Sequence, residues 1–200
     1  MLFVIRKSDN KDNFSFSTNT SPLENADLWM EGYYYHRLDL SIFNEDDKVK
    51  IADLVIYCFD LKKIEDSEVD LEYVADSINA DVDSSMAILS AAKLIPDNVC
   101  EKPMLCYIDK LYIKPKFRHK GLGSWLMKNV AELIKFYYDK EPYGFVIYPR
   151  PLDGRNPDDI NERLDTTSEM YQLMVSLIAK NGFYEINETN YFFKKCESEI

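Results

Sequence analysis

The chain of 200 residues is poor in the side chains that bind metals: it has two histidines, His36 and His119, and four cysteines. Cys58, Cys100, Cys106 and Cys196 show no C-x-x-C spacing, so a dedicated zinc site is not expected and the thiols read as reduced and structural. No apolar run approaches the roughly 18 residues that a membrane span needs, and residues 1–7 (MLFVIRK) hold too short an apolar segment for a signal peptide. A soluble, cytoplasmic protein with no membrane partner follows as the expectation. Basic residues are the minority, 24 against 35 acidic ones, for a net charge of −11. That balance argues against a nucleic-acid partner, which calls for a basic face. It favours a cationic substrate such as an amine by steering, or it serves solubility alone. Internal repeats and low-complexity tracts are also lacking.

What is present is enough apolar side chain, 46% of residues with 14% aromatic, to bury one substantial core, so residues 1–200 are expected to form a single domain. From Arg37 onward Leu38, Leu40 and Ile42 alternate onto one face of a strand. After a polar turn at 44–48 a second strand runs over 49–61, making an antiparallel hairpin. Residues 62–68 read as a charged loop. Between 69 and 94 the apolar positions Leu71, Val74, Ala75, Ile78, Val82, Met86 and Leu89 recur at helical spacing, which predicts one broken or two short amphipathic helices. A largely apolar strand follows over 104–113, suited to the middle of a sheet. A helix over 124–138, a strand over 143–148, a polar loop over 152–165, a helix over 168–180 capped by Asn181-Gly182 and two short strands complete the chain. The pattern predicts an α/β chain with a mixed, mostly antiparallel sheet.

The most informative stretch joins the 104–113 strand to the following helix. Lys110, Lys114, Lys116, Arg118 and Lys120 place five cations and no acid within eleven residues, ahead of a helix N-terminus whose backbone N–H groups have no intrahelical partners. That combination suits a phosphate. Gly121 and Gly123 allow the main chain to approach an anion closely and to take the positive φ of a tight turn. The plain alternative is a surface turn whose lysines are solvated.

Ile113 followed by Arg118-His119-Lys120-Gly121-Leu122-Gly123, with Pro115 and Phe117 before it and Lys180-Asn181-Gly182-Phe183 downstream, resembles the acyl-coenzyme A motif of the GCN5-related N-acetyltransferase (GNAT) superfamily. The similarity is strongest over 103–195. It implies a GNAT-like fold, in which the 69–94 helical segment lies between the hairpin and the motif strand. It also implies that acetyl-CoA serves as co-substrate without a metal, its pyrophosphate on the N–H groups of Arg118, His119, Lys120, Gly121, Leu122, Gly123 and Ser124. The pantetheine arm would then pair with the backbone of Leu111 and Ile113.

Acetyl transfer to a small-molecule or protein amine needs a base, an oxyanion donor and a proton for the thiolate. Asp109 is the base candidate: simple alternation puts it on one face with Tyr107, Leu111 and Ile113. Its bland alternative is a charge partner for a neighbouring lysine. Many superfamily members carry a tyrosine four residues before the glycine of the Gly-Phe pair. Ile178 stands there instead, and Tyr171, two helical turns earlier, is the substitute candidate for the acid. Arg150 and Arg155 could read an acidic group on an acceptor, and His36 is a weaker base candidate. Ile178 keeps open a second reading, a non-catalytic coenzyme-binding regulatory or interaction protein. A third is an interaction protein whose basic turn meets an acidic partner. A homodimer is compatible with the sequence.

Overall fold

A computed structural model describes residues 2–6, 13–19, 30, 33–44, 48–95, 103–151 and 165–196. Its centre is an eight-stranded sheet of strands β1 (Leu2–Arg6), β2 (Asn13–Asn19), β3 (Tyr35–Asn44), β4 (Lys50–Asp60), β5 (Met104–Ile113), β6 (Pro142–Ile147), β7 (Tyr184–Glu185) and β8 (Phe192–Lys195), in the order β1-β2-β3-β4-β5-β6-β8-β7. Every pairing is antiparallel except β5 with β6. The sheet is therefore mixed, as the alternation of elements predicts. The hairpin of β3 and β4 forms with Leu38 opposite Ile56 and Leu40 opposite Leu54. Strands β1 and β2 were not expected from the sequence.

Five helices cover the two faces. On one lie α4 (Leu122–Tyr138) and α5 (Glu169–Lys180), and on the other α1 (Leu61–Asp66), α2 (Leu71–Asp76) and α3 (Ala80–Ala91). The sheet alternates between the two cores. Leu38, Leu40, Ile56, Cys106 and Ile108 meet Leu126, Val130 and Ile134 of α4. Tyr35, Tyr57, Phe59, Leu105 and Tyr107 instead join Val74, Val82, Met86 and Leu89 of α2 and α3. With both faces covered, β4 is buried at nearly every position, which is why its sequence reads as a continuous apolar run.

The expected loop at 62–68 is mostly the helix α1. Asp60, the last residue of β4, caps it by accepting from the Lys63 N–H at 3.3 Å, and Leu61 and Ile64, one turn apart, are buried. The same carboxylate, buried itself, also pairs with Lys140 beyond α4. The 69–94 segment resolves into α2 and α3, with Asp70 and Asn79 as N-caps at 2.9 and 3.0 Å. Helix α5 starts at Ser168, whose Oγ accepts from the Tyr171 N–H. It ends in a Schellman motif, with Phe183 N–H on the Ile178 carbonyl and Gly182, at φ +85°, on that of Ala179. The expected polar loop, with Arg155, falls at 152–164, outside the described residues.

Candidate active site

Strands β5 and β6 pair only from Met104 with Pro142 to Ile108 with Ile147. Beyond that point the chains part, so among the described residues the edge of β5 at 109–113 has no strand partner on the β6 side, while its other edge stays on β4. A cleft of about 390 Å³ occupies the gap on the α4 and α5 face. Its walls are Leu111 and Ile113 of β5, the turn from Phe117 to His119, Gly121 to Ser124 at the start of α4, and Met170, Met174 and Leu177 of α5. Arg150, just past β6, closes one end.

The head of α4 is built to leave donors available. Its N-cap is Gly121, at φ +80°, and no side chain accepts from the first-turn N–H groups. A residue with a Cβ would be strained at that φ, so glycine here keeps the turn tight and the helix end open. Gly123 also has a packing job. A Cβ on it would come within 3.0 Å of Leu177 Cδ2 and 3.3 Å of Ile113 Cδ1, so its smallness lets α4 pack closely on α5 and β5. Arg118 anchors the turn: its Nε donates to the Ile113 carbonyl at 2.8 Å and its guanidinium lies 5.8 Å from the centre of the Tyr112 ring. Lys116 and Lys120 flank the ring of Phe117 at 4.8 and 5.4 Å. Asn181 bridges from the end of α5, donating to the Leu177 carbonyl at 2.7 Å and to Ser124 Oγ at 3.4 Å. Its Oδ1 is buried without a partner. Open N–H groups, a cationic turn and an unpaired strand edge together fit a ligand with phosphates and an amide-bearing arm.

On the opposite face the parting exposes a polar patch. A β-bulge sets it up: Val55 pairs with Lys110 and Ile56 with Ile108, so Asp109 is an extra residue. The bulge reverses the alternation. Leu111 and Ile113 therefore pack with Cys106 and Ile108 on the α4 face, while Tyr107 belongs to the other core. Asp109 is charge-coupled to Arg37, Asp81, Lys110 and Asp39. The expectation that Asp109 and Tyr107 share a face with Leu111 and Ile113 is thus corrected by one inserted residue. Desolvation is the main influence on Asp109 and raises its carboxyl pKa; Asp81 and Asp39 add to the rise, while Arg37 and Lys110 oppose it.

Residues 61–146 match the family model described as the acetyltransferase (GNAT) family. Over that segment the chain is similar to the GNAT superfamily. Among curated proteins none matches it. The matched segment runs from α1 through the uncapped head of α4 into β6, so it contains the parted strands and the 111–124 wall of the cleft, while the α5 wall lies beyond it. GNAT proteins are acyl-CoA-dependent N-acyltransferases, and the mixed sheet flanked by helices is the fold of that superfamily.

Within this GNAT fold the residues expected to hold the coenzyme, Leu111, Ile113, Arg118, His119, Gly121, Leu122, Gly123 and Ser124, all line the cleft. Lys120 does not; its ammonium sits against Phe117 at the turn. Tyr171 is buried away from the cleft wall, with its hydroxyl donating to Asn190 Oδ1 at 3.0 Å, and burial pushes its pKa up. It is not brought together with Asp109. His36 stacks on Tyr138 at the far end of α4, about 25 Å of helix from the cleft. Burial there pushes its pKa down. Cys106 is fully buried opposite Cys58, and burial raises its thiol pKa, as befits a packing residue. Arg150 is bound to Asp81 through both guanidinium nitrogens, at 3.2 and 3.4 Å, so it is not available as a separate reader of anions. Asn181 escaped notice in the sequence because an Asn-Gly pair after a helix already has an explanation as a cap.

Proposed function

We propose that the chain transfers the acetyl group of acetyl-CoA directly to a primary amine of a small molecule or protein. The observation that carries this is the parting of β5 and β6 after Ile108 and Ile147. It leaves a phosphate-suited cleft on one face and a carboxylate on the other. In this reading the N–H groups at 121–124 and the neighbouring cations hold the pyrophosphate, and the main chain at Leu111 and Ile113 pairs with the arm. The amine arrives as an ammonium ion and loses one proton to water. Asp109 then takes the proton that the nitrogen sheds as its lone pair forms the C–N bond. A backbone N–H of the parted β5 edge stabilises the charge on the carbonyl oxygen. The C–S bond breaks with its electron pair on sulfur, and the thiolate takes up a proton from water, since the hydroxyl of Tyr171, the side-chain candidate, is engaged by Asn190. The products are an amide and free thiol, with one proton released overall.

The test is thiol release from acetyl-CoA with a panel of primary amines. Amine-dependent release at one thiol per amide supports the proposal. Saturable acetyl-CoA binding with no release against any amine would make the chain a coenzyme-binding protein without turnover. Ile178, 1% exposed where many members carry tyrosine, is the residue that favours this second reading.

A further inference from the structure

The polar patch on the second face has a feature that packing does not explain. Tyr107 is 2% exposed and Tyr57 is 7% exposed, yet among the described residues neither phenol oxygen has a hydrogen-bond partner, and neither is sealed from solvent as Asn181 Oδ1 is. Buried tyrosines normally satisfy their hydroxyls. The Tyr107 hydroxyl is charge-coupled to Asp81, Asp109, Tyr191 and Arg150, and that of Tyr57 to Arg37, Asp109, Tyr35 and Asp39. Tyr57 and Tyr107 lie directly opposite each other on β4 and β5, on one face of the sheet and next to the bulge at Asp109.

The arginines around it are already matched, whereas Asp109 and its chain neighbour Lys110 have no ion pair among the described residues. Arg37 holds Asp39 at 3.1 Å, and Arg150 holds Asp81. Asp109, exposed at the rim, has no ion pair or hydrogen bond among the described residues. Neither arginine offers an uncompensated charge to an anion, whereas Asp109 offers one to a cation. Two phenol oxygens without protein partners and one unpaired carboxylate form an acceptor-rich recess that suits N–H donors bearing positive charge.

Building on the acetyltransferase reading, we propose that Tyr57, Tyr107 and Asp109 form the subsite for the acceptor's ammonium group and restrict acceptors to cationic amines without a carboxylate beside the nitrogen. An α-carboxylate would sit against Asp109 with Asp39 and Asp81 nearby; both arginines are paired, and the charge of Lys110 is already offset by Asp109 beside it. The class is thus alkyl or aralkyl amines, and amine termini whose neighbouring carboxyl is amidated or esterified, rather than free amino acids.

The experiment uses butylamine, norvaline (butylamine with an α-carboxylate) and norvaline methyl ester, which keeps the bulk and removes the charge. Affinities are read by saturation-transfer NMR in the presence of coenzyme A, with acetyl-CoA affinity measured on the same preparation. The expected result is butylamine and the ester bound, with norvaline weaker by roughly tenfold or more. Asp109→Asn should erase that discrimination and leave acetyl-CoA affinity unchanged. Tyr107→Phe, which deletes only the unpartnered hydroxyl, should weaken butylamine severalfold. Equal or tighter binding of norvaline, discrimination that survives Asp109→Asn, or no amine binding at all would overturn the subsite. Loss of acetyl-CoA binding with amine discrimination intact would instead overturn the coenzyme reading and leave the recess standing.

Discussion

The two mouths of the parted sheet are assembled in opposite ways. The cleft beside α4 is built largely from one continuous stretch, residues 111–124, whose strand, turn and helix head lie in sequence order along its wall. The recess on the other face draws Arg37 and Asp39 from β3, Tyr57 from β4, Tyr107 and Asp109 from β5, Asp81 from α3 and Arg150 from beyond β6. Contiguous sites are specified by local backbone geometry and tolerate little change there. Assembled sites are specified by tertiary pairing, and their chemistry can vary while the fold is kept.

If the two mouths are independent, substitutions should separate them. The largest effect belongs to Gly121→Glu, which strains a φ of +80° and puts a negative charge where N–H groups point. Acetyl-CoA affinity should fall by roughly 100-fold or more, at a folding cost of about 1–2 kcal/mol by thermal unfolding. Butylamine should still bind. Asp109→Asn is the converse. Turnover should drop by about 10²–10³ while the acetyl-CoA Kd stays at its wild-type value, read by calorimetry beside steady-state kinetics.

The raised carboxyl pKa of Asp109 gives that variant two further signatures. The wild-type rate should fall as pH drops through the raised value, beginning at a higher pH than an ordinary carboxylate would give, and the Asn variant should lack that limb. Stability has the opposite sign. A carboxyl with a folded pKa above its unfolded one stabilises the fold below the unfolded pKa and loses that contribution as pH rises through the folded pKa. At neutral pH the Asn variant should therefore melt at or slightly above the wild-type temperature.

Smaller effects sharpen the comparison. Gly123→Val presses a side chain on Leu177 and Ile113 and should cost about 1–3 kcal/mol of stability, weakening acetyl-CoA through the displaced α5 but not butylamine. Tyr171→Phe should be smallest. Its hydroxyl is engaged by Asn190, so thermal unfolding should show a loss near 1 kcal/mol, and turnover should change by less than about threefold. A far larger drop in turnover would assign Tyr171 the acid role.

The same division decides what could be read from the sequence. The coenzyme side was legible because glycine, arginine and lysine at short spacing constrain a single turn, and the helices around it carry clear apolar stripes. The helix α1 was hidden because its cap, Asp60, is also the last residue of a strand, and only Leu61 and Ile64 mark its buried side. Strands β1 and β2 are short and drew no notice. The face of Asp109 was misread because alternation assumes an unbroken ladder, and a bulge depends on which residue of β4 lies opposite. Tyr57 and Asp81 could not be linked to Asp109 before the strand order and the seat of α3 were known. Asn181 carried a signal, an amide at a helix end, with a simpler explanation.

The central claim is that the uncapped head of α4 holds the coenzyme while the bulge at Asp109 serves the acceptor. Calorimetric titration of acetyl-CoA into the wild-type protein, Gly121→Glu and Asp109→Asn, beside ATP as a phosphate control, tests it most directly. The account predicts saturable binding to the wild type, the same affinity for Asp109→Asn, none for Gly121→Glu, and clearly weaker binding of ATP. Unchanged affinity in Gly121→Glu, or its loss in Asp109→Asn, would contradict the division.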